Sequence, residues 1–98
     1  MSRKKNKKIT DSARGEDCQV RLGGVCNFDP ATTIFAHING GGMGYKSHDI
    51  HGSYCCSSCH DVIDGRVPYD GYYNPTLAHY DGMVRTQMIL IEKGLIKA

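Results

Sequence analysis

"YCCSSCH", Tyr54 to His60, holds three of the five cysteines of this 98-residue chain and closes on a histidine. Taken alone, Cys56-x-x-Cys59-His60 fits four chemistries. It could be a c-type haem attachment site, a redox dithiol, half of a zinc site, or the opening of a helix that carries a catalytic histidine. The answer depends on what the rest of the chain supplies.

The partner for the pair lies upstream. Cys18 and Cys26 flank "QVRLGGV", with Gly23-Gly24 at the bend. Zn²⁺ takes four soft ligands at tetrahedral angles, and two cysteines spaced by two residues at a helix N-terminus supply adjacent corners. The helix dipole favours thiolates there. Cys18, Cys26, Cys56 and Cys59 are therefore the expected structural zinc ligands, with reduced, metal-free core cysteines as the alternative. The gap between Cys18 and Cys26 is wider than in a standard zinc finger, so the knuckle is a loose one. Cys55 then reads as a small buried hydrophobe turned away from the metal, or as an alternative partner of Cys59.

Haem and a redox dithiol fit less well. The basic start runs into polar residues without an apolar stretch, which is the pattern of an unexported, cytoplasmic chain. Haem attachment follows export and leaves Cys18 and Cys26 unexplained. A thioredoxin-like site lacks its βαβ context. No window approaches the roughly 20 apolar residues of a membrane helix. Reduced cytosolic thiols in a cluster favour metal over disulfides.

Charge is distributed unevenly. Arg3, Lys4, Lys5, Lys7 and Lys8 crowd the first eight residues and leave seven basic against ten acidic groups in the remainder, a net of about −3. Residues 1–9 read as a disordered basic arm, either a nonspecific phosphate contact or a solubilising terminus, and residues 10–98 as one domain. A chain this short buries one modest core, so a metal staple would help it.

The coarse element reading is α+β. Thr10 or Asp11 caps a helical turn that Gly15 ends. Cys18 to Phe28 holds a strand-like piece, Thr32–Ile38 is a strand, Asn39–Ser47 a glycine-rich loop, and His48–Tyr54 a returning strand. Ser57 or Ser58 caps the next helix, which Gly65 and Pro68 bound. Asn74-Pro75 starts a long C-terminal helix that Gly94 stops. Leu77, Tyr80, Val84, Met88, Ile91 and Leu95 recur at spacings of three and four, so they are expected to form its core face. Gly82 inside it is expected to allow close packing.

Among the five histidines, His37 ends an apolar strand before the glycine loop, and His60 sits in the first turn of the helix that Cys56 and Cys59 open. Asp64 follows His60 by four residues on the same helix face. A histidine base, a metal-binding histidine and nearby carboxylates suit metal-assisted phosphodiester hydrolysis, with Mg²⁺ or Mn²⁺ the simplest cation. His48, His51 and His79 read as packed or surface histidines.

Strand, histidine, glycine loop, strand, then C-x-x-C-H opening a helix resembles the HNH (His-Me finger) endonuclease superfamily in its zinc-stabilised, treble-clef, ββα-metal form. More closely, the chain is similar to the YbcO-type nucleases of lambdoid phages and prophages, which are related to the phage recombination-enhancement nuclease Ref. The resemblance is carried by "CQVR" and "GVCN", "AHI", the loop with Lys46 and Asp49, "CSSCHDVID", and "GMVRTQ" through "GLIKA". It covers nearly everything after residue 13. It implies that His37 is the general base, that His60 binds the catalytic divalent metal, and that the four cysteines bind zinc. It also implies action on DNA during recombination or repair in the infected bacterial cytoplasm. Lys46 and the basic arm are the DNA-contacting candidates, and a recombination protein is a candidate partner.

Ala36 departs from the pattern, because many members carry Asp there as a second metal ligand. Either Asp49 or Asp64 joins His60, or the metal binds with the substrate phosphate, or catalysis has been lost. Asp49 or His51 stands at the middle motif position. Two other readings are a non-catalytic zinc module that binds DNA or a recombination protein, and a partner-binding phage protein without affinity for nucleic acid. Oligomeric state is open.

Overall fold

The structure, a computed structural model, describes residues 7–38 and 50–97. The order is α1 (Lys7–Asp11), a 3-10 turn (Pro30–Thr32), β1 (Ile34–His37), β2 (Gly52–Cys55), α2 (Ser57–Ile63) and α3 (Pro75–Glu92). The small α+β reading holds, with several elements shifted. The strand-like piece between Cys18 and Cys26 is a knuckle without strand pairing. β1 is shorter than Thr32–Ile38 because Asp29 and Pro30 draw Thr32 into the turn, where the Asp29 side chain accepts from Ala31 N–H. Residues 7–9, read as part of the arm, begin α1 instead. Ile9 is buried in one core cluster with Ala13, Phe35, Tyr54 and Leu90.

β1 and β2 pair antiparallel, Ile34 with Cys55, Phe35 with Tyr54, Ala36 with Ser53 and His37 with Gly52. Alternation along the strands divides the core. Phe35 and Tyr54 face the first cluster. Ala36 and Cys55 join a second cluster with Cys18, Val20, Leu22, Cys56, Cys59, Val62 and Ala78. Gly52 is required opposite His37, since a Cβ there would stand 2.7 Å from the Ala36 carbonyl oxygen.

The outer edge of β2 would expose unpaired backbone groups, and two contacts cover it. Tyr54 N–H donates to Thr86 Oγ1 at 3.0 Å, and Gln19 N–H donates to the Tyr54 carbonyl at 2.8 Å. α3 thus lies along this edge. Only small side chains permit that approach. The buried residues of α3 are Ala78, His79, Gly82, Thr86 and Leu90, and a Cβ on Gly82 would stand 2.9 Å from Val20 Cγ2. The expected core face is therefore wrong in orientation. Leu77, Tyr80, Val84 and Met88 are exposed by 54%, 42%, 59% and 57%. Close approach selected the small-residue row, and the large apolar row was left outside.

The helix ends follow their sequence signals. Asn74 Oδ1 accepts from Thr76 and Leu77 N–H, with Pro75 at the first helical position. Gly94, at φ +74°, closes α3, with Gly94 N–H bonded to the Ile91 carbonyl and Leu95 N–H to that of Leu90. This is a Schellman closure, and Gly65 closes α2 the same way.

Candidate metal centre and histidine cluster

The N-cap of α2 is Cys56, not Ser57 or Ser58, because its sulfur accepts the Cys59 N–H at 3.4 Å. The sulfur thus takes the place of the side-chain oxygen of an ordinary N-cap. On the other side of the centre, Leu22 accepts from Val25 and Cys26 N–H and closes the Gly23-Gly24 turn. Arg21 sits at φ +54°, in the left-handed region, and its N–H approaches the Cys18 sulfur at 3.5 Å. Each half of the centre thus turns a backbone donor onto a sulfur.

These turns bring Cys18, Cys26, Cys56 and Cys59 together, all four Sγ atoms lying within 4.8 Å of one another. The Cys26 and Cys56 sulfurs are 3.9 Å apart. Tetrahedral zinc with Zn–S near 2.3 Å needs sulfurs about 3.8 Å apart. Four thiols at such spacing, with two backbone donors turned onto them, fit a metal such as zinc.

Cys55 is outside the four-sulfur set and fully buried. It is not turned away from the centre. Its thiol donates to the Cys56 carbonyl at 3.5 Å and also bonds the Cys18 sulfur. The Cys18 pKa is pulled far down, first by the Cys55 thiol and then by that of Cys59. Cys55 and Cys59 are pushed far up, each chiefly by that same bond and next by burial. Burial pushes Cys26 up to about 11.

His60 lies one residue beyond this centre. Its Nε2 is 3.2 Å from Asp64 Oδ2, the helical pairing expected from the spacing of four. His60 and Asp64 make a pair rather than a three-ligand set among the described residues. Arg66 holds Asp64 at 3.2 Å and Asp61 at 3.3 Å.

His37, half-buried at the end of β1, packs edge-on against Phe35 with ring centroids 5.2 Å apart. His79 is the residue that sequence reasoning undervalued. It is buried on the inner row of α3, with Nε2 2.9 Å from the Ala36 carbonyl oxygen. Burial lowers its pKa, the bond to Ala36 opposes this, and the charges of His60, Asp64 and His37 act on it in turn. A histidine interrupting a row of small inward residues was the signal, legible only once that row is known to face inward.

Lys7 and Lys8 are exposed on α1. Arg3, Lys4, Lys5, Lys46, His48, Asp49 and the whole glycine loop lie outside the described residues. His51 is exposed, and its carbonyl accepts the Ile38 N–H, extending the pairing of β1 and β2. A groove of about 480 Å³ opens beside Gly24, Ser58, Val62 and Tyr69, but Asp61 and Asp70 on its wall suit it poorly to phosphate. No helix of the described residues is long and apolar enough to cross a membrane.

The class this defines is a small α+β protein whose strand–strand–helix unit is gripped by a four-cysteine cluster, with a histidine at the end of the first strand and another in the helix. The chain belongs to the YbcO family, whose model, described as "Putative nuclease YbcO", matches residues 7–95. It is 45% identical over 94 residues to "Putative nuclease YbcO" of Escherichia coli (strain K12), covering 92% of this chain and 97% of that protein. The same figures hold for "Putative nuclease ybcO" of Enterobacteria phage 82. Among solved structures, a bacteriophage protein from Escherichia coli str. K-12 substr. MG1655 matches with TM-score 0.73 and 39% identity, over 87% of this chain and 98% of that one.

Proposed function

We propose that the chain is a metal-dependent endonuclease of the HNH type that hydrolyses DNA phosphodiester bonds. The observation that carries this is the His60–Asp64 pair, 3.2 Å apart on the helix that the cysteine cluster opens, with His37 ending the strand paired to the one before that helix. The succession β1, β2, α2 supports a ββα-metal, treble-clef reading, and the nuclease names of the relatives support the activity. A structural zinc on Cys18, Cys26, Cys56 and Cys59 holds the start of α2 to the Cys18–Cys26 knuckle, and so aims His60.

His37 is the general base. At a ring nitrogen it accepts a proton from the attacking water, a task suited to a neutral imidazole near pH 7. Contact with Phe35 restricts the ring, and the His79–Ala36 bond anchors the strand end that carries it. His60 and Asp64 are the described ligands for a divalent ion, Mg²⁺ or Mn²⁺, with Asp49 a further candidate outside the described residues. Bound there, the ion supplies positive charge against the scissile phosphate and the leaving oxygen. The basic arm and Lys46 contact the DNA backbone. The setting is phage recombination or repair in the host cytoplasm, with a recombination protein as partner.

Ala36 leaves the metal site one carboxylate short of the common pattern, which favours a second reading, a non-catalytic zinc module that binds DNA. Incubating the purified chain with supercoiled plasmid and with single-stranded circles in Mg²⁺ or Mn²⁺ separates the two. Nicking that disappears in His37→Ala supports the nuclease. Salt-sensitive DNA binding without nicking supports the module, and equal nicking by wild type and His37→Ala removes His37 as base.

A further inference from the structure

We propose that the outer face of α3 is a homodimer interface, in which two copies pair antiparallel about a two-fold axis passing near Gly82 and Met83. Leu77, Tyr80, Val84 and Met88 are spaced by three, four and four residues. They form one stripe about 16 Å long, each side chain exposed by between 42% and 59%. Tyr73, exposed by 48%, extends the stripe at its N-terminal end through a bond from its hydroxyl to Asp81. Tyr72 beside it is fully exposed. The four stripe residues present about 400 Å² of surface, the size of patch that on a monomer is often functional and about half of one partner's share of a standard interface.

The occupant is argued from the pattern itself. A two-fold axis between positions 82 and 83 sets Leu77 level with Met88 of the second copy, and Tyr80 close to its Val84. Asp81 and Arg85 lie one turn apart on the same flank of the stripe. The same axis brings Asp81 within one residue's rise, about 1.5 Å, of the level of the opposing Arg85. The apolar stripe and the charge pair thus share one centre. Arg85 uses Nε and one terminal nitrogen on the Gln19 carbonyl, leaving the other terminal nitrogen for this contact. Asp81 uses Oδ2 on Tyr73, leaving Oδ1. The chain's own segments outside the described residues, "MSRKKN" and "NGGGMGYKSHD", contain no run of large apolar side chains to cover the stripe. An apolar stripe beside Asp81 is also a poor surface for phosphate. His79 lies on the inner side of α3, so pairing through the outer side leaves the histidine cluster uncovered.

The test is light-scattering mass across a dilution series, with thermal unfolding confirming that each variant is folded. Wild type is expected at twice the 10.8 kDa chain mass. Val84→Glu, which would bury an unpaired carboxylate, is expected at the monomer mass, with dissociation at least about 100-fold easier. Leu77→Lys and Met88→Glu should each weaken the dimer, and the double variant should recover it, since the axis places these residues opposite each other. A monomeric wild type overturns the proposal. So does a dimer indifferent to Val84→Glu, or a double variant no better than the single ones.

Discussion

The buried Nε2 of His79 lies 2.9 Å from the carbonyl oxygen of Ala36, so α3 holds the residue immediately before His37. Ala36 pairs with Ser53, and His37 follows it on the last rung, opposite Gly52. A helix remote in sequence therefore sets the end of the strand on which the proposed base stands.

His79→Leu should lose about 1 kcal/mol of stability, since it removes the second hydrogen bond of a buried carbonyl that the strand pairing with Ser53 still satisfies. It should also reduce DNA cleavage while leaving bound zinc unchanged. His79→Gln, which keeps a donor, should recover part of the cleavage. Denaturant titrations, metal analysis and nicking assays on the two variants check this.

The same residue makes stability sensitive to acid. Burial holds its folded pKa below the ordinary 6.5, so below that pH the unfolded chain binds more protons than the folded one. The His79 contribution is therefore fully present above pH 6.5 and is eroded as pH falls toward the folded value. His79→Gln should show a shallower loss of stability over this window than wild type. Equal slopes would show that another group governs the acid limb.

Replacing Cys18, Cys26, Cys56 or Cys59 with Ser should remove the metal and much of the fold's stability, because a structural site couples binding to folding. Cys55→Ala should retain one metal per chain, with a smaller loss of stability. Metal should also be released as pH falls, as protons compete for the sulfurs. Metal content by mass spectrometry across pH reports all three.

His37→Ala should lower nicking by at least about 10²-fold, the usual contribution of a general base. Its melting temperature and zinc content should match wild type, because the ring is half-buried and contacts Phe35 rather than the cysteine cluster.

Gly82→Ala should destabilise by about 1–3 kcal/mol through overpacking against Val20. At exposed Thr76 of α3, Gly should be less stable than Ala by about 1 kcal/mol or less. Thermal melts of the paired set separate close packing from helix propensity.

Local chemistry determined what could be read from the sequence. Cys56-x-x-Cys59 with Cys18 and Cys26 announced a four-cysteine cluster that could hold a metal, and the fold brings the four sulfurs within 4.8 Å of one another. Asn74-Pro75, Gly65 and Gly94 marked helix ends because capping depends on a few neighbouring residues. The tertiary structure alone decided which face of α3 is buried. Periodicity reports that a helix has an apolar side but not how near its neighbour comes, and the approach to the β2 edge admits only the row of Ala78, Gly82 and Thr86. That choice turned Leu77, Tyr80, Val84 and Met88 outward and His79 inward. Strand alternation, with Tyr54 facing the other cluster, set Cys55 among Cys18, Cys56 and Cys59.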